Sequence, residues 1–359
     1  MIYLNAKRLF STERSADIEK SVEIINALLP DLSNVKIIYI IGDNAYSCGS
    51  YVSSVLERSG FKVGVCHANS DLEARDKISV GASSLPTQEI CERLERLVSS
   101  ALTMGRINNA KSGRSFDTLP LSPESVLCLF AFDCFAQKDC ELAIFECSEY
   151  FFENILSKLS MTPLCSIFTS FDETKISDLI DTMPCGTQEI VRFSQKENFD
   201  FISNEFSSKG ARINTVSGNK INIGKTNIYG TDLYYNSVYY HIQAVERKNV
   251  TYAALAIECI NALSRDIAPI AHSAIYKGLA SVRLLYELEL FSVSPLIFLK
   301  ANNSDEDPDV SFLNCKKISV IKEDEMPQDI KNMIKARDFD ALILTGSLEF
   351  IKKIKNIIK

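Results

Sequence analysis

The chain has 359 residues, of which 46% are hydrophobic, and a formal net charge of −7 at pH 7. This length allows a sizeable core and favours two unequal domains. The acidic balance argues against a nucleic-acid-binding protein, because such proteins carry a basic excess. No apolar run approaches the roughly 20 residues of a membrane span, so we expect neither a nucleic acid nor a membrane as partner.

The spacing of the cysteines and histidines argues against a disulfide scaffold and against a local zinc motif. The eleven cysteines are scattered singly without a CxxC pair, and several lie in apolar runs, where a free thiol behaves as a small hydrophobe. The three histidines, His67, His241 and His272, are far apart, so a local zinc motif such as HExxH is absent. The polar start is not a signal peptide. Free thiols fit a reducing compartment, and we expect a cytoplasmic protein.

The first elements predict a βαβ unit. Apolar residues recur at helical spacing over 16–28, and the β-branched run at 35–42 ends at a glycine, as a buried parallel strand does. A helix that ends at Gly60 follows, and residues 61–66 predict the next strand. This order is typical of the opening of a three-layer α/β domain.

The same alternation continues along the chain. Residues 122–137 predict an apolar helix with Ser122 as its N-cap, and 140–147 and 163–170 are strand-like runs. Residues 201–242 change to short polar–apolar alternations broken by glycines. That pattern predicts a small antiparallel patch.

The C-terminal part returns to strand–helix alternation. Helices are predicted at 249–264 and 268–282, and a strand at 294–303, before two further strand–helix pairs close the chain. We therefore predict a larger domain of residues 1–295 and a smaller α/β domain of residues 296–359.

The last helix has two interpretations. Its lysines could place it on a membrane surface. We favour a helix whose isoleucines, Ile351, Ile354 and Ile358, dock on the last strand while the lysines face water.

Segments spread over nearly the whole chain resemble the motifs of one enzyme family. Residues 42–48 follow a strand in the place of a GTNGKGS phosphate loop, and GFKVG at 60–64 matches a GYKVG turn. Further matches, in order, are 146–150, 166–174, 241–256, 278–291, 299–303 and 342–350. In order and spacing the chain resembles folylpolyglutamate synthase and dihydrofolate synthase, a branch of the Mur-ligase superfamily.

The resemblance implies a fold, an activity and a set of site residues. The fold is Mur-ligase-like α/β: a large P-loop-type domain with a parallel sheet and a small antiparallel patch, then a truncated Rossmann-like C-terminal α/β domain. The activity is an ATP- and Mg²⁺-dependent joining of a carboxylate to an amine. The implied cofactor-binding positions are Gly42, Asp43, Asn44, Ser47, Cys48 and Asn249. The implied metal positions are Glu146 and Glu173, and the catalytic candidates are His67 and Asp172.

Several residues depart from the family pattern at the positions that would hold ATP. No lysine lies between Lys36 and Lys62, and the phosphate-loop lysine falls on Tyr46 or the residue before it. The family's PGR arginine is replaced by Glu287, and its DGAHN aspartate by Leu299. Losing these groups together is hard to reconcile with phosphoryl transfer, because each stabilises the transition state.

Three functions remain open. The first is a pseudoenzyme, without a bound cofactor, that binds a partner protein or a small molecule in the former ligase cleft. The alternative is a divergent ligase that uses ATP and Mg²⁺, in which Glu146 and Glu173 would converge on one cation. A third is thiol chemistry at Cys48 or Cys66, because a helix N-terminus favours a thiolate.

Overall fold

The computed structural model places the chain in two compact units. It describes residues 18–29, 35–68, 76–81, 83–112, 121–159, 161–170, 180–182, 188–193, 199–285, 287–301, 308–327 and 329–358. The first unit comprises Met1–Ser217 and Leu255–Ile275, and the second comprises Gly218–Ala254 and Tyr276–Lys359. These units divide the chain elsewhere than at residue 295, and the domains 1–295 and 296–359 stay a prediction.

The first unit is built on an eight-stranded, mostly parallel sheet. Its strands are β1 (Lys36–Ile41), β2 (Val63–His67), β3 (Ile78–Val80), β4 (Ser83–Ser84), β5 (Leu142–Cys147), β6 (Cys165–Phe168), β7 (Gln188–Phe193) and β8 (Arg212–Ser217). Their order is β4-β3-β2-β5-β1-β6-β7-β8. Neighbours from β2 to β8 are parallel, whereas β3 and β4 form an antiparallel edge.

Helices cover both faces of this sheet. They are α1 (Ile18–Leu28), α2 (Ala45–Arg58), α3 (Thr87–Ser112), α4 (Pro123–Gln137), α5 (Glu149–Asn154) and α6 (Phe199–Ser208), with part of α7 (Arg247–Asp266). Because side chains alternate along a strand, Tyr39 faces the core that α1, α3 and α4 share, and Ile38 and Ile40 face the other side. The Ser122 side chain accepts a bond from the Ser125 N–H, which confirms the predicted cap of α4.

The second unit contains two smaller sheets. An antiparallel sheet of order β11-β10-β9 is formed by β9 (Ile221–Asn227), β10 (Gly230–Tyr235) and β11 (Val238–Ile242). The other has the order β12-β13-β15-β14, with β12 (Glu289–Val293), β13 (Leu296–Ala301), β14 (Ile318–Lys322) and β15 (Ala341–Gly346). Strands β13, β14 and β15 are parallel and β12 is antiparallel. Helix α8 (His272–Ser281) is divided between the two units after Ile275, whereas α9 (Ile330–Ala336) and α10 (Leu348–Ile358) belong to the second. The predicted α/β class, with a parallel sheet and a small antiparallel one, is confirmed.

One stretch differs from the prediction. Of the predicted antiparallel patch 201–242, only β9 to β11 belong to it, since Phe199–Ser208 is a helix and Arg212–Ser217 extends the parallel sheet. Gly210, with a φ of 70°, lies just after the helix, where glycine commonly ends helices. The same glycine is equally common in a hairpin turn, so the local pattern did not separate the two.

The last helix docks by its apolar face, as predicted. Ile351 and Ile354 are buried in the core of the four-stranded sheet, and Ile358 packs partly against it. No helix in the described part of the chain is long and apolar enough to cross a membrane.

Candidate active site

The candidate site is the junction between β1 and α2. The strand ends at Ile41 and the helix begins at Ala45, so the connection is Gly42–Asn44. The predicted position of this loop, between the carboxyl end of a parallel strand and a helix N-terminus, is confirmed. Gly42 has a φ of 111°, and a Cβ there would lie 2.5 Å from the Ser170 carbonyl oxygen. The turn therefore requires glycine for its conformation and for close approach of the next strand end.

Several backbone groups of the junction are hydrogen-bonded within the protein. The Gly42 N–H donates to the Cys147 carbonyl at 3.0 Å, and the Asp43 N–H donates to Ser170 Oγ at 2.7 Å. Thr169 Oγ1 donates to the Asp43 carbonyl at 2.7 Å, and the Ser47 N–H donates to the Asn44 carbonyl at 3.0 Å. Two strand ends, after β5 and β6, therefore hold the junction closed.

Glu146 and His67 meet beside this junction. They lie opposite each other in the register of β2 and β5, and His67 Nδ1 is 2.5 Å from Glu146 Oε2. Glu146 is fully buried, and its other oxygen, Oε1, has no hydrogen-bond partner in the described part of the chain. Burial raises the pKa of this carboxyl, and His67 opposes the shift.

The Glu146 carboxylate packs against helix α2. A Cβ added at Gly49 would lie 1.9 Å from Glu146 Oε1, so only glycine leaves room for the carboxylate there. On the outer side, the Tyr46 ring lies 5.3 Å from the His67 ring, centroid to centroid. The candidate metal ligand therefore lies between the helix and an imidazole, and the Tyr46 ring packs on that imidazole.

Thiol chemistry at the junction is disfavoured by burial. Cys48 and Cys66 are fully buried, and burial raises the pKa of both thiols. The helix N-terminus does not offset the loss of solvation, so the predicted thiolate at Cys48 is not favoured in the structure. A buried neutral thiol is inert as a nucleophile.

The remaining predicted residues are not brought to the junction by described contacts. Asp172 and Glu173 lie outside the described residues, so the convergence of Glu146 and Glu173 stays a prediction. Asn249 belongs to the second unit, where its side chain is fully buried and neither of its side-chain polar atoms has a hydrogen-bond partner among the described residues. Among described residues, no group of three or more histidine, cysteine or acidic side chains is placed to hold a metal ion.

Two features of the site had no clear signal in the sequence. Thr169 and Ser170, which close the junction, are ordinary polar residues at a strand end. The contact of His67 with Glu146 depends on β2 and β5 being neighbours in the sheet, although 79 positions separate the two residues.

Comparison with known proteins identifies the fold. No family model matches the chain, and no curated protein matches its sequence. The folylpolyglutamate synthetase of Lactobacillus casei superposes with a TM-score of 0.78 at 15% identity, covering 100% of this chain and 100% of that one. The synthase of Thermotoga maritima gives 0.76 at 15% identity, covering 99% and 96%. That of Mycobacterium tuberculosis, complexed with ADP and AMPPCP, gives 0.77 at 12% identity, covering 99% and 98%. At sequence identities this low, the structural likeness establishes the fold alone.

Proposed function

We propose that this chain, whose fold is that of the folylpolyglutamate synthase branch of the Mur-ligase superfamily, is a pseudoenzyme that acts as a binding or regulatory module. In this proposal the strand–helix junction at Gly42–Asn44 is a structural turn that holds no triphosphate. The chain keeps the ligase fold and lacks ATP-dependent ligation.

The closed junction is the observation that carries the proposal. A phosphate loop presents several backbone N–H groups, and a lysine, to the phosphates. Here the N–H groups of Gly42, Asp43 and Ser47 already donate to protein oxygens, and no lysine lies between Lys36 and Lys62. A triphosphate could use these three N–H groups only by breaking their bonds, and no lysine of the segment between Lys36 and Lys62 would compensate its charge. These groups therefore fit ATP poorly.

The carboxylate beside the junction fits Mg²⁺ poorly as well. A cation needs oxygen ligands that turn towards it, usually with several waters. One oxygen of Glu146 contacts His67, and the other packs against Gly49. An oxygen that already contacts an imidazole at 2.5 Å is less available to a hard cation.

The alternative is a divergent ligase with a rebuilt site. It is favoured by the structural neighbours, which are synthases, one of them solved as a complex with AMPPCP and folate. It is also favoured by the placement of Glu146 and His67 at the carboxyl ends of neighbouring parallel strands, where α/β enzymes build their sites. Asp172 and Glu173 would complete such a site.

Calorimetric titration of Mg²⁺–AMPPCP into the full chain separates the two proposals. The pseudoenzyme predicts no saturable heat up to millimolar nucleotide, and no ADP release in the presence of ATP, a folate and glutamate. Saturable binding, with ATP turnover that is lost in Glu146→Gln and in His67→Gln, would overturn it in favour of the ligase. Circular dichroism of both variants checks that they fold.

A further inference from the structure

The second unit contains a cavity of about 170 Å³, remote in sequence from the β1–α2 junction. Its walls include the apolar side chains of Ile228, Val245, Leu284, Leu288 and Leu290. Its polar lining comprises Gln243, Arg283, Glu287 and Glu289. An apolar cavity of about 150 Å³ holds benzene, so this one suits a ligand of roughly six to eight non-hydrogen atoms.

The acids of the lining are already neutralised. Glu287 pairs with Lys248 at 3.4 Å, and Glu289 pairs with Lys355 at 2.9 Å. Arg283 differs from them: within the described residues, no carboxylate lies within ion-pair distance of its guanidinium. The charge that the cavity offers a ligand is therefore positive.

Arg283 is also held in a defined orientation. The Gln243 side-chain amide donates from Nε2 to the Ala280 carbonyl at 2.8 Å, which turns its Oε1 towards Arg283. That oxygen accepts from Arg283 Nε at 3.2 Å. Among the described residues the guanidinium is anchored by Nε alone, so its two terminal nitrogens can donate side by side, as they do to a carboxylate.

We propose that this cavity binds a small carboxylate with a compact, branched aliphatic body. Arg283 holds the carboxylate at the exposed mouth, and the leucine, isoleucine and valine side chains enclose the aliphatic part. An α-amino group on the ligand would meet acids that Lys248 and Lys355 already neutralise. The site therefore selects simple acids over the corresponding amino acids. This inference does not rest on the function proposed for the junction.

Titration of 3-methylbutanoate into the full chain tests the proposal, by calorimetry and by NMR of labelled methyl groups. We expect saturable binding that shifts the methyl signals of Val245, Leu284 and Leu288. The neutral isostere 3-methylbutanamide should bind about ten-fold more weakly or worse, because it loses a charge-assisted hydrogen bond. Leucine should bind more weakly than the acid.

Substitutions of Arg283, at the mouth of the cavity, are compared with a control substitution outside it. Arg283→Gln should weaken binding of the acid about ten-fold or more. Arg283→Lys should give an intermediate loss, because lysine keeps the positive charge but cannot donate two parallel hydrogen bonds to the carboxylate. Lys277→Gln, the same loss of charge at an exposed residue of α8 outside the lining, should bind like the wild type. Absence of saturable binding, equal affinity for acid and amide, or unchanged affinity in Arg283→Gln would each overturn the proposal.

Discussion

At the scale of single residues, Gly49 and Glu146 are matched in space. The carboxylate fills the volume that a side chain at position 49 would need. Gly49→Ala should therefore lower the free energy of unfolding by about 1–3 kcal/mol, which urea denaturation would measure. Gly218→Ala is the matched control, because a Cβ there meets no atom within 4 Å.

A double variant tests the cause of that loss. With Glu146→Ala the space beside position 49 is open, so Gly49→Ala should cost less in that background than in the wild type. Equal losses in the two backgrounds would mean that the carboxylate is not the obstacle.

Asp232 gives a prediction about pH. Its Oδ1 lies 2.9 Å from His241 Nδ1 and accepts from the Tyr239 hydroxyl at 3.0 Å. The bond to His241, with a smaller contribution from Tyr239, lowers the pKa of Asp232 below its usual value. The stabilisation is thus present above the unfolded-state pKa of about 3.9 and is lost as pH falls through the lower folded-state value.

Asp232→Asn should accordingly reduce stability at pH 7, by less than about 1 kcal/mol because the group is partly solvated. The difference from the wild type should shrink in strong acid, as urea denaturation at both pH values would show. The bond to Asp232 also raises the pKa of Tyr239 to about 12. In Asp232→Asn the pKa of Tyr239 should therefore lie closer to 10. A stability difference that persists in acid would contradict this account.

Residue types could be predicted at the site, but their contacts could not. His67 and Glu146 were both predicted as candidates from the resemblance to the ligase family. Their direct contact follows from the order of β2 and β5, which local patterns do not encode. The closure by Thr169 and Ser170 was missed for the same reason, since both come more than 120 positions after the loop that they hold.

At the scale of elements, the strongest prediction concerns α10. Ile351 is fully buried in the core of the four-stranded sheet, whereas Lys353 is exposed. Ile351→Ala should lower the free energy of unfolding by about 2–5 kcal/mol, and Lys353→Ala should change it by less than about 0.5 kcal/mol. Both values come from urea denaturation, and similar effects in the two variants would mean that the helix does not dock by its isoleucine face.

Elements with a clear pattern of apolar residues and a clear start or end signal were predicted well. Strand β1 is a β-branched run that ends at Gly42, and α4 has Ser122 and a proline at its start, so both were identified close to their observed bounds. Residues 201–217 were assigned to the wrong structure because short apolar segments beside glycines suit a helix end or a hairpin equally. Packing of Phe206 in the core of the large sheet decides for the helix.

At the scale of the whole molecule, the number of thiols that react in the native state reports whether the core is intact. Of the ten described cysteines, only Cys91 and Cys315 are partly exposed, and the other eight are buried. Burial raises the pKa of Cys134 to about 12 and that of Cys140 to about 11, so these two thiols are both inaccessible and neutral.

The native protein should therefore react rapidly with an aromatic disulfide reagent at no more than three thiols, Cys91, Cys315 and Cys185, which lies outside the described residues. In urea all eleven should react. The variant with Cys91→Ser and Cys315→Ser should lose two fast equivalents. A larger fast count in the native state would show that the core described here opens on the timescale of the reaction.

The position of β1 in the sheet also constrains how the chain is made. This strand lies between β5 and β6, and its last carbonyl accepts a bond from Thr169, 128 positions later. At about 5–20 residues per second, a ribosome needs on the order of 6 to 25 seconds to supply that partner. Until β5 is made, both edges of this apolar strand are unpaired, and the edge that pairs with β6 stays unpaired to the end of the interval. An unpaired apolar edge is a template for aggregation. Synthesis of this protein thus includes a period in which a chaperone that shields extended apolar segments would raise the yield.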